Sequence, residues 1–225
     1  MTAPVYHSVA AALALLLYTC SLSKDLSQGA TSVNAELQLQ ASFSLDSTHL
    51  VLDYVVRNTS ANDAYLLNRL FQSAPEWKMS PDIIYINFDP GSGTVLLAKK
   101  IPEMPAGIRV TTPIAPFVTP LPHGSSFKET VRIALPVREY SPYPARVSRD
   151  PVEPKLLTYK FVRLQIGYYW RPEGTQEEVR DISGAKVVIP RTPPGKQLSF
   201  GTLESPQVRL DIAVEEVSQP AATRQ

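Results

Sequence analysis

Cysteine, histidine and glycine are scarce in this chain of 225 residues, which has one Cys, three His and ten Gly against 21 Pro. With Cys20 as the lone thiol, no intramolecular disulfide can form. A zinc site beyond the first 23 residues would have to combine His49 and His123 with carboxylates. No His-x-x-x-His spacing pins two such ligands together, and both histidines read as turn residues. No Gly-x-Ser-x-Gly element is present, and Gly91-Ser92-Gly93 reads as a hairpin tip. There is no phosphate-cradling loop leading into a helix, and no internal repeat. Charge of either sign is nearly balanced, 22 Lys+Arg against 21 Asp+Glu, so no long-range field draws in nucleic acid or an anionic surface. A hydrophobic content of 44% excludes a disordered chain and supports a sizeable core. No cofactor and no metal are expected.

Charge is also missing from residues 1–23, where residues 9–18 form an unbroken apolar run of ten. About 20 residues are needed to cross a bilayer as a helix, whereas a signal-peptide core takes roughly 7–15, so the run predicts export rather than a permanent span. Leu17-Tyr18-Thr19-Cys20 resembles the lipobox of bacterial lipoproteins, which implies lipidation at Cys20. A cut after Ser21-Leu22-Ser23 is the alternative, and it would discard the cysteine. Residues 24–34 read as a tether, residues 35–217 as a single domain and residues 218–225 as a flexible tail.

Within that domain the dominant period is two. Leu37, Leu39, Ala41, Phe43 and Leu45 alternate with polar residues, and Leu50, Leu52, Tyr54 and Val56 do so after Asp46-Ser47-Thr48, which predicts a hairpin. Residues 65–71 read as a further strand. Residues 82–88 and 94–101 predict a second hairpin around Asp89-Pro-Gly-Ser-Gly93. Further strands are expected around 127–135, 156–170, 185–189 and 208–215, with Val162, Leu164, Ile166, Tyr168 and Trp170 on one face of the longest. No segment sustains helical spacing over three turns. The expectation is an all-β chain: a two-sheet antiparallel β-sandwich, immunoglobulin-like, following the export segment.

Six prolines between Pro102 and Pro122 and five between Pro136 and Pro154 keep those stretches out of central strands, because proline lacks the ladder N–H. Two aromatic and basic segments stand out, 138–146 and 168–172. Alternation turns Tyr169 with Arg163 and Gln165 away from the core face, so Tyr140, Tyr143, Arg163, Tyr169 and Arg171 are the candidate partner-binding residues. Nine Lys/Arg against four Asp/Glu between Lys128 and Arg171 make only a mild basic patch. Asp53 and Asp82 are the carboxylates nearest to strands, and both read as ordinary surface groups.

The segment 164–172, ending in Tyr-Trp-Arg-Pro, resembles the aromatic-Arg-Pro strand end of periplasmic pilus chaperones. Leu135-Pro-Val-Arg-Glu139 is similar to the segment between their domains. That resemblance implies a subunit-binding protein with an exposed edge strand beside a basic pair. Val56-Arg-Asn-Thr-Ser60 also resembles a strand end of bacterial immunoglobulin-like modules, small protease inhibitors among them. The leading expectation is a non-enzymatic, exported protein of the bacterial envelope, periplasmic, outer-membrane-attached or secreted, that binds a protein, peptide or glycan. The alternative from another class is an envelope-polymer hydrolase or lyase using paired carboxylates.

Overall fold

The computed structural model describes residues 28–33, 36–72, 76–104, 114–143 and 153–217, with backbone alone for 28–33. The stretch 1–23 read as an export segment, with Cys20, and the stretch 218–225 read as a tail lie outside the described residues. The described residues contain strands and turns and no helix. In chain order the first eight strands are β1 (Gln28–Val33), β2 (Leu37–Leu45), β3 (His49–Asn58), β4 (Ala64–Arg69), β5 (Phe71–Gln72), β6 (Lys78–Met79), β7 (Tyr85–Asp89) and β8 (Thr94–Lys99). They are followed by β9 (Phe117–Leu121), β10 (Ser126–Ala134), β11 (Val137–Arg138), β12 (Lys155–Trp170), β13 (Gln176–Ile182), β14 (Ala185–Arg191), β15 (Phe200–Glu204) and β16 (Val208–Glu216).

β1, β2, β3 and β10 form a four-stranded antiparallel sheet in that order. The predicted β2–β3 hairpin is present and closes at Leu45↔Leu50. Its turn is built on Asp46, whose Oδ1 accepts the backbone N–H of Thr48 at 2.8 Å and of His49 at 2.7 Å. Those bonds, the one from Thr48 first, hold the Asp46 carboxyl down to about 2 from its ordinary 3.8, and Arg132 adds to the effect. A carboxylate depressed in the folded state stabilises above its unfolded value and loses that contribution as pH falls through the folded value. An Asp46→Ala variant should therefore trail the wild type in urea midpoint at about pH 5 and converge on it as pH falls toward 2.

The larger sheet is organised on β12. Along one edge of β12 run β16, against Lys155–Val162, and then β15, against Gln165–Tyr169. Along the other edge β8 lies parallel to Phe161–Ile166, and β4 then takes over antiparallel to Tyr168–Trp170. The sheet thus forks at Gly167. A Cβ there would lie 2.8 Å from Lys100 Cβ and 3.2 Å from Leu67 Cδ1, so the two strands leave room for a hydrogen only. β7 pairs with β8 as the predicted second hairpin.

One apolar core lies between the two sheets. β2, β3 and β10 contribute Leu39, Phe43, Leu52, Val56 and Val131, and the larger sheet contributes Val95, Leu97, Val162, Leu164, Ile166 and Ile212. These are the residues that alternation places on inner faces. A second, smaller cluster sits on the reverse face of the larger sheet and joins Tyr65, Leu67, Val118 and Tyr169, with Val188 and Leu198 packed against it.

Three expectations are corrected. Residues 28–33, within the stretch read as a tether, pair with β2 as an edge strand; ladder hydrogen bonds are backbone bonds, so a segment with little to bury can still make them. Phe117–Leu121 is a strand between β4 and β14 although it contains Pro120. Its contact with β14 is the single pair Val188↔Val118, so the missing N–H interrupts no continuous ladder there. Strand β14 answers the strand expected at 185–189, whereas its hairpin partner β13 and strand β15 had no counterpart in the pattern, because their polar and apolar residues do not alternate with a buried face.

Candidate functional site

Alternation along β12 separates its aromatic residues as expected. Tyr168 joins the main core, and Tyr169 turns to the reverse face of the sheet. The exposure expected of Tyr169 is not found, since its side chain is only 6% exposed, and Gln165 is buried as well. Val118 of the neighbouring strand β9, Val188 of the β13–β14 hairpin and Leu198 pack on that part of the sheet, and a strand's period says nothing about what covers an outer face. The Tyr169 ring packs in a tilted arrangement at 5.2 Å from Tyr65 and at 5.4 Å from Phe200, and burial pushes its phenol up to about 12. The ring that reaches solvent is Phe200, at 53% exposure.

The charged candidates frame this aromatic row. Arg171 lies 3.4 Å from Asp63 and 3.2 Å from Glu177, donates to the Thr175 carbonyl at 3.0 Å, and places its guanidinium 6.0 Å from the Tyr65 ring centroid. Tyr65 in turn donates to Glu177 at 2.8 Å, and burial together with that carboxylate raises its phenol strongly. Arg163 lies 3.5 Å from Glu204, which also accepts from the Gln165 amide. Both partners of the Arg163–Glu204 pair are well exposed, so it contributes little to stability and leaves donors and acceptors open to another molecule.

Tyr140 and Tyr143 belong to the opposite margin of the same sheet. Tyr140 exchanges backbone hydrogen bonds with Ile86, both at 2.9 Å, and its ring lies 6.2 Å from that of Tyr85. Tyr143 is buried, and its hydroxyl accepts the N–H of Ile114 at 2.8 Å. The loop expected to present these tyrosines instead tucks them inward: the Tyr140 ring packs on the cluster of Tyr85 and Ala98, and the Tyr143 hydroxyl is taken up by the backbone of Ile114.

Other groups singled out in the sequence have structural partners. His49 contacts Thr48, and the His123 ring bonds the Ser60 carbonyl, while its N–H donates to Asp63. Asp53 accepts from Thr130 at 2.5 Å and Asp82 from the Arg132 N–H at 2.9 Å. Among the described residues no group of three His, Cys, Asp or Glu side chains is placed to hold a metal. No helix of the described residues is long and apolar enough to cross a membrane.

Two features escaped the sequence reading. Glu139, exposed at its surface yet partly desolvated by its neighbours, is pushed up by that desolvation and by Glu216, and Tyr159 nearby has a buried hydroxyl with no hydrogen bond. The second is a charged cluster inside the main core. Lys99, 0% exposed, donates to Pro81 O at 2.7 Å and pairs with Glu129, which also accepts from Tyr54 at 2.7 Å. Burial lowers the Lys99 ammonium and raises the Tyr54 phenol. A signal for this cluster was present: Lys99 is in phase with Val95 and Leu97, and Glu129 with Val131 and Ile133, on faces that are otherwise apolar.

No family model, curated protein or solved structure matches the chain.

Proposed function

We propose that this protein is an exported, non-enzymatic, immunoglobulin-like β-sandwich of the bacterial envelope that binds a protein or peptide partner through the reverse face of its larger sheet. The observation carrying this reading is the row Tyr65–Tyr169–Phe200, buried at one end and open at the other, with Arg171–Glu177 and Arg163–Glu204 at its margins. A half-exposed aromatic ring seated on buried rings and bordered by arginine matches the composition of protein interface centres. The charge-free apolar run at residues 9–18 supports export, followed by lipidation at Cys20 or release after Ser23. For the hydrolase reading the supporting pair is Glu139 with Glu216, but Glu139 itself is solvent-exposed, which suits a water-excluding catalytic site poorly.

A strand-accepting reading, like that implied by the chaperone resemblance, has one observation in its favour. Among the described residues, no strand covers the edge of β12 opposite β16 over residues 155–159. Leu156 there is 72% exposed, and Lys155 and Lys160 flank it. Two lysines at the ends of the edge disfavour antiparallel self-pairing and favour an acidic strand.

The two readings separate in one experiment. A photoreactive phenylalanine analogue placed at 200, at 156 or, as a control, at 130 is irradiated in the host envelope. The proposed face predicts a protease-sensitive adduct from position 200, lost when Arg163 and Arg171 are replaced by alanine in the same chain. Adducts from position 156 alone would transfer the site to the β12 edge. A glycosidase-sensitive adduct at 200 would overturn the protein partner in favour of a glycan, and equal labelling at 130 would overturn the face itself. Phe200→Ser should cost about 1 kcal/mol of stability through the lost contact with Tyr169 while abolishing the complex.

A further inference from the structure

The core cluster around Lys99 contains one side chain whose polar atoms have no use in the fold as it stands. Asn68, 1% exposed, has both its amide nitrogen and its amide oxygen buried without a hydrogen bond. It sits beside the Tyr54 hydroxyl without a bond of normal geometry to it. The fork in the sheet sets its position relative to Lys99. β4 and β8 approach the same edge of β12 from opposite directions, with Leu66 paired to Tyr168 and Lys99 paired to Ile166. Leu67 and Lys100 meet over Gly167 on the reverse face, so the next residue along β4 and the preceding one along β8, Asn68 and Lys99, turn together to the inner face. There Glu129 bonds Lys99 Nζ and Tyr54 bonds Glu129, while Lys99 Nζ lies 6.0 Å from the Tyr54 ring centroid.

Lys99 pairs with Glu129, and the Tyr54 hydroxyl joins Glu129 to the neighbourhood of Asn68, so an amine, a carboxyl group and a carboxamide lie around one buried hydroxyl, and such a set has a defined reaction open to it. We propose that Lys99 and Asn68 form an intramolecular isopeptide bond, with Glu129 as the group that transfers the proton. Glu129 takes a proton from the Lys99 ammonium, leaving a neutral amine. Nζ attacks Asn68 Cγ; the Nζ–Cγ bond forms, the Cγ–Nδ2 bond breaks, and Glu129 delivers its proton to the departing Nδ2. Nζ then gives its second proton to the Glu129 carboxylate and keeps the third as the amide N–H, so ammonia leaves and Glu129 ends protonated. Atoms and charges balance without oxidant, reductant or cofactor. Burial drives the first step, since a desolvated ammonium holds its proton weakly, and fixed geometry replaces the concentration that the reaction would need in water. The product removes the charge of Lys99 and turns the unpaired Asn68 carboxamide into part of an amide whose N–H faces Glu129. In a chain whose only cysteine lies at position 20, this bond would staple β4 to β8 beside the fork.

The test is peptide mapping by mass spectrometry of the full chain, purified folded. The expected result is a branched peptide joining a β4 fragment to a β8 fragment through Asn68 and Lys99, lighter by one ammonia, with trypsin failing to cut after Lys99. Asn68→Ala and Glu129→Gln should both yield the linear peptides. Linear peptides of full mass in the wild type would overturn the proposal whether or not either variant folds. So would loss of ammonia without a branch, or a branch that persists in Asn68→Ala.

Discussion

Replacing Glu129 with alanine should cost at least about 3–5 kcal/mol of folding free energy, because it leaves Lys99 charged, buried and without its counter-ion. No solvent is available to take the place of that carboxylate, since Lys99 is fully buried and Glu129 nearly so. The variant also loses the group that would transfer protons between Lys99 and Asn68. A cross-link closing the roughly 30 residues between them would contribute about 4 kcal/mol by restricting the unfolded chain. Thermal and urea unfolding of Glu129→Ala, Glu129→Gln and the wild type separates the two parts. Glu129→Gln retains a hydrogen-bonding partner for Lys99 and should fall between the other two, whereas equal stability of all three would show that the cluster contributes nothing.

Gly167→Ala is the second large effect. Its new Cβ would meet Lys100 Cβ at 2.8 Å and the Lys100 backbone Cα at 3.0 Å, distances that a side-chain rotation cannot relieve. β8 or β4 has to move away from β12, and overpacking of this kind costs about 1–3 kcal/mol in a close-packed core. Because the same displacement would separate Asn68 from Lys99, the yield of branched peptide should fall along with the urea midpoint. A midpoint within error of the wild type would mean that the fork is more open than its geometry indicates.

Both effects arise where local pattern and tertiary arrangement part company. The hairpin β2–β3 was legible because Leu37, Leu39, Ala41 and Phe43 repeat with period two against polar neighbours, and Asp46 supplies a turn carboxylate. The β7–β8 hairpin was legible because two β-rich runs flank Asp89-Pro-Gly-Ser-Gly93. The β13–β14 hairpin was not: a strand was expected at 185–189, but its partner Gln176–Ile182 shows little burial on either face. Its signal was Ser183-Gly184, a two-residue turn with both residues at positive φ, which glycine tolerates and which closes the pair Ile182↔Ala185.

The candidate site divides in the same way. That Tyr169 leaves the main core and Tyr168 enters it followed from alternation alone. That Tyr169 is then covered, with Phe200 taking the solvent-facing place, required the return of β15 along β12 and the folding of the β13–β14 hairpin across the sheet. The segment of Tyr140 and Tyr143 stood out in the sequence, but the Tyr140 ring turns toward Tyr85 because a backbone bridge to Ile86 draws that segment against β7.

By itself, then, the order of residues determined the all-β character, the strands of the inner faces, the apolar export-like run and the lack of any disulfide within the domain, since each depends on neighbours in the chain and on a period of two. Only the tertiary structure decided which strands share an edge of β12. Strand pairing is made by backbone groups that every residue carries, so side-chain order leaves it open, and it is this pairing that brings Lys99, Asn68 and Glu129 into one dry cluster.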